Sequence, residues 1–503
     1  MSGSHTGQFA SIGELADELI EQSGPTLEFV YVDISSIDRE AKRIVDAKTL
    51  PLSKAPSRAR QVLKAGDVLV SMTRPNLNAV ALVPDHLDGA IGSTGFHVLR
   101  SKWLRPAFLH FLVQSQEFID AMCALVQGAL YPAVRPKDIA AYQFIFETPA
   151  QQTRIVAKLE EILSDLDASV VELKTAQKKL QQYRQSLLKA AVEGALTPSW
   201  REAQRTANTP LETGAQLLER ILRERRALWE EKQLAKFKKQ GKNLPKDWQK
   251  KYPEPVAPDT IGLPALPEGW VWATLSQVGW LDRGRSKHRP RNAAHLYGGP
   301  YPFVQTGDIR HSDTFISDVE ATYSEAGLAQ SRLWPIGTMC ITIAANIGKT
   351  AILSMEACFP DSVVGFLPGT DDVSVRYVEY FMRSVQQKLE DEAPATAQKN
   401  INLEILEKVV IPIPPIHEQN QIVEILNRAL GAARDIERSI ELGFKQSSAQ
   451  RQNILRAAFA GQLVPQDPND EPASVLLERI RSERATQATT KKPRGRKTEK
   501  AAA

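Results

Sequence analysis

The longest hydrophobic pattern in the chain repeats every seven residues. Five leucines keep this spacing, with apolar residues at most of the companion positions: Leu159, Leu166, Leu173, Leu180 and Leu187. A repeat of this kind predicts a long helix with a coiled-coil seam. A weaker seam follows later in the chain and includes Leu426, Ile436, Ile440 and Ile454. We therefore expect two spacer helices, at residues 150–198 and 416–465, each of about 45 residues.

Short apolar runs bounded by Gly, Pro and Asp fill the segments before each seam. Examples are "DVLVSM" in the first segment and "TMCITIAA" in the second, and both are typical of strands. The fold class that we predict is α+β, with two globular domains at residues 1–149 and 265–415 that are separated by two long antiparallel coiled-coil helices. A charged, Pro-rich connector at 199–264 and a C-terminal segment at 466–503 complete the division.

The chain repeats itself at a fixed offset. "SLLKAAVEGALTP" (Ser186–Pro198) and "NILRAAFAGQLVP" (Asn453–Pro465) share 6 of 13 residues, 267 positions apart. "LLERI" at Leu217–Ile221 recurs at Leu476–Ile480 with an offset of 259. The segments before the helices correspond more loosely. We infer two copies of one unit and an internal pseudo-twofold relation.

Two arrangements of the seams remain open. The first helix could form a homodimeric zipper, which would make the chain a scaffold without sequence-specific DNA binding. Alternatively, the two seams could pack on each other within one chain. Two helices of equal length, each preceded by a globular block, favour the second arrangement.

Composition and charge add little to this picture. The net charge of +4 is small, and the three cysteines (Cys123, Cys340 and Cys358) show no pairing or zinc-ligand spacing. We expect no metal site, no signal peptide and no membrane span, and therefore a cytoplasmic protein.

Residues suited to nucleic acid lie in the segments between predicted strands, since Arg and Lys contact phosphates and guanine while Asn and Gln contact adenine. The candidates in the first block are Arg58, Arg60, Lys64, Arg74, Asn76 and Asn78. The candidates in the second block are Arg283, Arg285, Lys287, Arg289, Arg291, Gln305, Thr306, Arg310, Asn346, Lys349, Lys399 and Asn400. The strongest cluster is Arg283–Arg291, where five cations face the single Asp282 and favour a polyanion.

Catalytic motifs are missing from the sequence. "AANIGKT" (Ala344–Thr350) ends like a phosphate-binding loop but lacks the first glycine of that motif. No dinucleotide-binding, zinc-protease or nucleophile-elbow motif is present. We therefore predict no catalytic residues and no cofactor in this chain.

Arg223–Lys251 holds eleven basic and four acidic residues. It could extend a helix, contact phosphates or form a solvated linker, and we favour the linker. The tail "KKPRGRKTEKAAA" is predicted to be disordered and to add nonspecific affinity for DNA.

The order of these features resembles the specificity subunit of a type I restriction–modification system. The resemblance rests on the phrases "TPAQQTRIVAKLEEIL", "IPPIHEQNQIVEILNRAL" and "LPEGWVWATL", together with the repeated helix endings. It implies two target recognition domains that read the halves of a bipartite site in double-stranded DNA. It also implies docking of two methyltransferase subunits and two restriction subunits, and S-adenosylmethionine, ATP and Mg²⁺ would be used by those partners.

Overall fold

The computed structural model describes residues 8–16, 19–126, 132–207, 211–241, 243–344, 346–393 and 400–490. The chain forms two compact units, of which the first comprises residues 1–175 and 440–503 and the second comprises residues 176–439. The boundary falls inside both long helices. Each unit therefore contains one globular block, the start of one long helix and the end of the other. No helix in the described ranges combines the length and the apolar character needed to cross a membrane.

Most strands are short. In the described part of the chain they are β1 (Phe9–Ser11), β2 (Phe29–Val32), β3 (Ile37–Asp38), β4 (Arg43–Ile44), β5 (Lys48–Leu50), β6 (Ala59–Val62), β7 (Val68–Ser71), β8 (Val80–Leu82), β9 (Ile91–Ser93), β10 (Phe96–Leu99), β11 (Gln143–Ile145), β12 (Val271–Thr274), β13 (Gly279–Arg283), β14 (Tyr297–Pro302), β15 (Phe315–Ile316), β16 (Thr322–Tyr323), β17 (Met339–Thr342), β18 (Thr350–Leu353), β19 (Val363–Pro368) and β20 (Val410–Ile413).

The helices differ more in length. They are α1 (Ile12–Leu15), α2 (Pro106–Leu112), α3 (Gln116–Ala124), α4 (Pro136–Ala140), α5 (Pro149–Val192), α6 (Pro198–Thr206), α7 (Gly214–Lys239), α8 (Leu275–Val278), α9 (Thr306–His311), α10 (Glu325–Ala329), α11 (Val375–Asp391), α12 (Leu403–Glu407), α13 (Ile416–Phe459) and α14 (Ala473–Thr490). The two long helices, α5 and α13, have 44 residues each. Their ends match the predicted stop signals, since Gly194 and Gly461 take φ angles of 72° and 71°.

The sheets of the two blocks correspond. In the first block the strand orders are β5-β2-β9-β6 and β10-β7-β8, and β1 pairs with β11. In the second block a five-stranded sheet has the order β13-β19-β17-β18-β15, and β12 pairs with β20. The pair β7–β8 and the pair β17–β18 are both antiparallel, and all four residues of β7 and of β17 are buried. The predicted mixed fold with an internal repeat is confirmed.

The long helices pack antiparallel within each unit. In the first unit Arg451 of α13 binds Asp167 of α5 at 2.7 Å, and Leu173 fills the space above Gly443. In the second unit Arg184 of α5 binds Glu437 of α13 at 2.7 Å. The seam is thus filled from within the chain, as in the second of the two arrangements considered above.

Most predicted seam positions face the packed side of the helices, with one error. Leu159, Leu180, Leu426 and Ile440 are buried, and Leu166, Leu173, Leu187 and Ile454 are partly buried. Ile436 is 52% exposed, so its assignment to the seam is wrong. Glu437 takes the inward position instead, because it pairs with Arg184 of the opposite helix.

The repeated "LLERI" phrases belong to helices that dock on the blocks. In α7, Leu217 and Ile221 are fully buried in the core of the second unit. In α14, Leu477 and Ile480 are equally buried in the core of the first unit. Each copy of the repeat therefore supplies a docking helix after its long helix.

The solvated linker favoured for Arg223–Lys251 is wrong over most of its length. Helix α7 continues to Lys239, and the segment then turns back so that Trp248 stacks on Trp229 with ring centroids 5.9 Å apart. The basic tail from residue 491 onward lies outside the described residues.

Candidate nucleic-acid interface

Equivalent loops follow the buried strands β7 and β17. Residues 72–79 connect β7 to β8, and residues 343–349 connect β17 to β18. Each loop contains residues with positive φ, among them Arg74 at 49° and Asn346 at 67°. Left-handed backbone at non-glycine residues concentrates at functional sites. These loops are therefore the first places to look for recognition residues.

In the first block the loop after β7 carries three candidate DNA contacts, of which two are exposed and one is buried. Arg74 and Asn76 are exposed. Asn78 is buried, and its amide group donates to the Val113 carbonyl at 2.8 Å and accepts from Lys42 at 2.8 Å. Because this side chain is used inside the protein, we withdraw Asn78 from the candidate contacts.

The other basic candidates of the first block differ in their distance from the loop after β7. Arg58 lies beside the loop, because the turn before β10 contacts both. The Thr94 amide donates to the Arg58 carbonyl at 2.9 Å, and the Met72 amide donates to the Gly95 carbonyl at 3.0 Å. Arg60 is exposed on the neighbouring strand β6. Lys64 precedes β7, whereas Arg74 follows it, so these two side chains stand at opposite ends of the strand.

Lys42 supports the loop after β7, a role that the sequence pattern did not indicate. Its ammonium group donates to the backbone carbonyl of Asn78 at 2.7 Å as well as to the side chain. Burial, together with the nearby charge of Arg451, lowers the pKa of Lys42 to about 8. Lys42 precedes Asn78 by 36 positions, and no local motif marks it.

Lys42 should make the stability of the first unit depend on pH. Folding lowers the pKa of its amine from 10.5 to about 8, so the folded chain binds fewer protons than the unfolded chain between these values. Stability from this group is therefore gained as pH rises through that window and lost as pH falls back through it. Between pH 7.5 and 9.5, urea unfolding should show wild type gaining about 1–2 kcal/mol relative to Lys42→Gln.

The exposed Lys64 offers a matched control for this pH effect. Lys64→Gln removes one lysine from the same block, and its urea unfolding should follow wild type at both pH values. A Lys42→Gln variant whose stability also runs parallel to wild type would contradict the lowered pKa.

In the second block four candidates meet at one end of the five-stranded sheet. Asn346 and Lys349 are exposed in the loop after β17, and Asn400 bridges to this loop at Ala344. Arg283 ends β13 opposite the start of β19, which is the same end of the sheet. Amide and basic residues thus share one end of the sheet.

The cluster Arg283–Arg291 has more acidic partners than the sequence suggested. Arg291 binds both carboxylate oxygens of Asp361 at 2.9 Å, and Arg283 donates to the Asp361 carbonyl. Asp282 is engaged by Arg332 at 2.6 Å. The expectation of a single acidic partner is therefore wrong.

The cluster nevertheless keeps a positive surplus. Arg285, Lys287 and Arg289 remain exposed. Arg289 donates only to backbone carbonyls, and Arg285 reaches Asp282 only at the 4.0 Å limit of an ion pair. These three side chains leave positive charge available to a phosphate backbone.

The other described candidates lie on α9, whose Ile309 packs with Cys340 of β17 and Ala351 of β18 in one hydrophobic cluster. Gln305 and Thr306 begin α9, and Arg310 lies near its end. No hydrogen bond or ion pair among the described residues joins them to the loop after β17. Lys399 lies outside the described residues.

A buried carboxylate supports the loop of the second block. Glu379 is fully buried, pairs with Arg376 at 3.1 Å and with Arg383, and accepts a hydrogen bond from Thr350 directly after the loop. Burial raises the pKa of Glu379, while the two arginines oppose this shift. Arg383 also holds Thr314 at the start of β15, so Glu379 ties three elements together.

Known proteins are similar to this chain in sequence. Residues 267–442 match the type I restriction modification DNA specificity domain. The type I restriction enzyme EcoDI specificity subunit of Escherichia coli is 23% identical over 415 residues, which cover 79% of this chain and 81% of that protein. The HindI specificity subunit of Haemophilus influenzae is 24% identical over 413 residues, which cover 77% and 86% of the two chains.

The fold also matches a solved structure. A chain from a structure described as the "structural basis underlying complex assembly and conformational transition of the type I R-M system" superposes with a TM-score of 0.67 at 25% identity. The superposition covers 92% of this chain and 100% of that one. The chain is therefore similar to type I restriction–modification specificity subunits over most of its length, and its residues 267–442 match their DNA specificity domain.

Proposed function

We propose that the chain reads a bipartite, asymmetric site in double-stranded DNA, with each block contacting one half. One observation carries the proposal. Both blocks place basic and amide side chains in a loop after equivalent buried strands, yet the residues in the two loops differ. Equivalent placement fits two halves of one site, and different side chains fit different base sequences.

Side-chain chemistry divides the contacts between bases and phosphates. In the first block Arg74 and Asn76 suit base edges, and Arg58 and Arg60 suit phosphates. In the second block the base-reading set is Asn346, Lys349 and Asn400, with the exposed cations of the Arg283–Arg291 cluster on the backbone.

Assembly with partners follows from the repeat. Two methyltransferase subunits would dock on the long helices, where large apolar side chains remain exposed: Val171, Tyr183, Ile436 and Leu442. Each unit exposes one such side chain from α5 and one from α13, and exposed apolar groups in both units suit two partners. Restriction subunits would join the same complex. This chain would contribute recognition without catalysis in the cytoplasm, while the partners use S-adenosylmethionine, ATP and Mg²⁺.

Mapping of N6-methyladenine tests the proposal. The chain is co-expressed with its cognate adenine methyltransferase in a host that lacks other adenine methylation, and the genome is read by single-molecule sequencing. We expect one bipartite, non-palindromic motif with a fixed gap. The double variant Arg74→Gln/Asn76→Ala should relax or abolish one half of the motif, because it removes the proposed base contacts of one block.

A matched double variant in the other loop, Asn346→Ala/Lys349→Gln, should alter only the second half. An assembled complex with an active methyltransferase that produces no motif would refute the proposal. Loss of the same half-motif in both variants would refute the assignment of one half to each block.

A further inference from the structure

The end of α7 leaves the core of the second unit and forms a hairpin with the segment that follows. The root of this hairpin is firmly held, since Arg225 is only 5% exposed, lies 3.9 Å from the centre of the Trp280 ring and donates to the Ser276 carbonyl. Beyond Arg226 most side chains of the helix are exposed. We name residues 227–251 the basic hairpin.

An aromatic cluster fixes the shape of the basic hairpin. Trp229 on α7 stacks on Trp248 with an interplanar angle of 18°, and Tyr252 meets the Trp229 ring edge-on at 5.4 Å. Arg226 lies 5.4 Å from the centre of the Tyr252 ring. These contacts turn the aromatic side chains toward each other, while the lysines are exposed together with Leu228, Leu234 and Leu244.

The outward surface is rich in lysine. The described residues 227–241 and 243–251 contain seven lysines, all exposed, and three acidic residues. Lys232, Lys236 and Lys239 follow each other at spacings of four and three, which places them on one face of α7. All three are exposed, and no acidic side chain among the described residues forms an ion pair with them. Like charges at this spacing destabilise a helix unless a polyanion compensates them.

We propose that this lysine face of the basic hairpin binds the phosphate backbone of duplex DNA that flanks the recognised site. The proposal rests on the proposed function. Interfaces between proteins are depleted in lysine and enriched in aromatic residues at their centre, whereas here lysines are presented and the aromatic rings are turned inward. The surface therefore fits nucleic acid better than a partner subunit.

The root of the basic hairpin at Arg225 lies close enough to the candidate DNA contacts of the second block for both to reach one duplex. Trp280, which lies under Arg225, is the second residue of β13, and Arg283 at the end of that strand is one of the four candidates at the end of the five-stranded sheet. Three residues of a strand span about 10 Å, which is less than the width of a duplex. The second copy also turns basic after its docking helix, at Lys491, Lys492 and Arg494, although these residues lie outside the described range.

The triple variant Lys232→Gln/Lys236→Gln/Lys239→Gln tests the proposal in the complex with the methyltransferase. Glutamine keeps nearly the same helix propensity, and circular dichroism checks that α7 is retained. Binding is measured against salt on a long duplex that carries the motif and on a short duplex trimmed to the motif. On the long duplex, the slope of log affinity against log salt should fall by up to about 2.7, and the affinity near 0.15 M salt should fall at least about tenfold.

Three comparisons make the result specific to the lysine face. The triple arginine variant at the same positions should bind as wild type. A matched variant, Lys189→Gln/Lys388→Gln/Lys408→Gln, removes three lysines that each pair with a glutamate four residues away, and it should keep the wild-type slope. The trimmed duplex should bind wild type and triple variant alike, and the methylated motif should not change.

Other outcomes overturn the proposal. An unchanged slope on the long duplex would show that the hairpin lysines do not contact DNA. Loss of methyltransferase binding with unchanged DNA affinity would assign the hairpin to a protein partner. A wild-type complex without sequence preference would instead refute the proposed function, and the slope on any long duplex would still decide the role of the hairpin.

Discussion

Glu418→Ala is expected to lower the free energy of unfolding of the second unit by about 3–5 kcal/mol. Glu418 is 1% exposed and accepts hydrogen bonds from the Thr197 hydroxyl at 2.7 Å and from the Trp270 indole at 2.9 Å. It also pairs with Arg201. Alanine would leave the guanidinium and the indole N–H without their partner, and the cost comes mainly from these stranded groups.

Tryptophan fluorescence during urea unfolding can measure this loss, because seven of the eight tryptophans lie in the second unit. The repeat supplies a matched control. Gln151 precedes Glu418 by 267 positions and donates to the Val464 carbonyl at 3.1 Å, but it carries no charge. Gln151→Ala should therefore cost its own unit only about 1–2 kcal/mol. Hydrogen exchange can follow the loss of stability of each unit separately. Equal losses of unfolding free energy in the two variants would contradict the role of the buried charge.

The repeat could be predicted from the sequence because its elements produce local patterns of buried and exposed residues. Helices α4 and α12 begin and end 267 residues apart, as do the starts of β11 and β20. The same offset relates the two 44-residue helices. Such elements bury one face each, and a face leaves a periodic trace in the sequence.

The error at Ile436 has a physical cause. A layer of two helices leaves much of each helix in solvent, so an apolar residue there need not be buried. The pairing of Arg184 with Glu437 then decides which side of α13 faces inward. The spacing of apolar residues in α13 cannot reveal an ion pair with a residue some 250 positions away.

The candidate interface was predictable only in part for the same reason. Exposed loop residues such as Arg74 and Asn346 follow from residue type and turn pattern. The loss of Asn78 depends on Lys42, and the neutralisation of Arg291 depends on Asp361, which is 70 residues distant. The basic hairpin looked like a linker because the stacking of Trp229 on Trp248 requires a turn that charge composition does not reveal.

Ile480→Ala is expected to cost the first unit about 3–4 kcal/mol and to loosen the docking of α14. Ile480 is fully buried in the same hydrophobic cluster as Ile12 and Phe144. Truncation to alanine removes three carbon atoms and leaves a cavity that the surrounding elements cannot fully close. Hydrogen exchange should accelerate in peptides that contain α1, β11 and α14.

The equivalent residue of the first copy makes the test symmetric. Ile221 is fully buried in α7, 259 positions earlier, so Ile221→Ala should loosen the second unit by a similar amount. Arg479→Ala, which removes only an exposed ion pair with Glu471, should change stability by less than about 1 kcal/mol. If Ile480→Ala exchanged like Arg479→Ala, the second "LLERI" would not be a docking element. The repetition of "LLERI" would then need an explanation other than packing in the hydrophobic core.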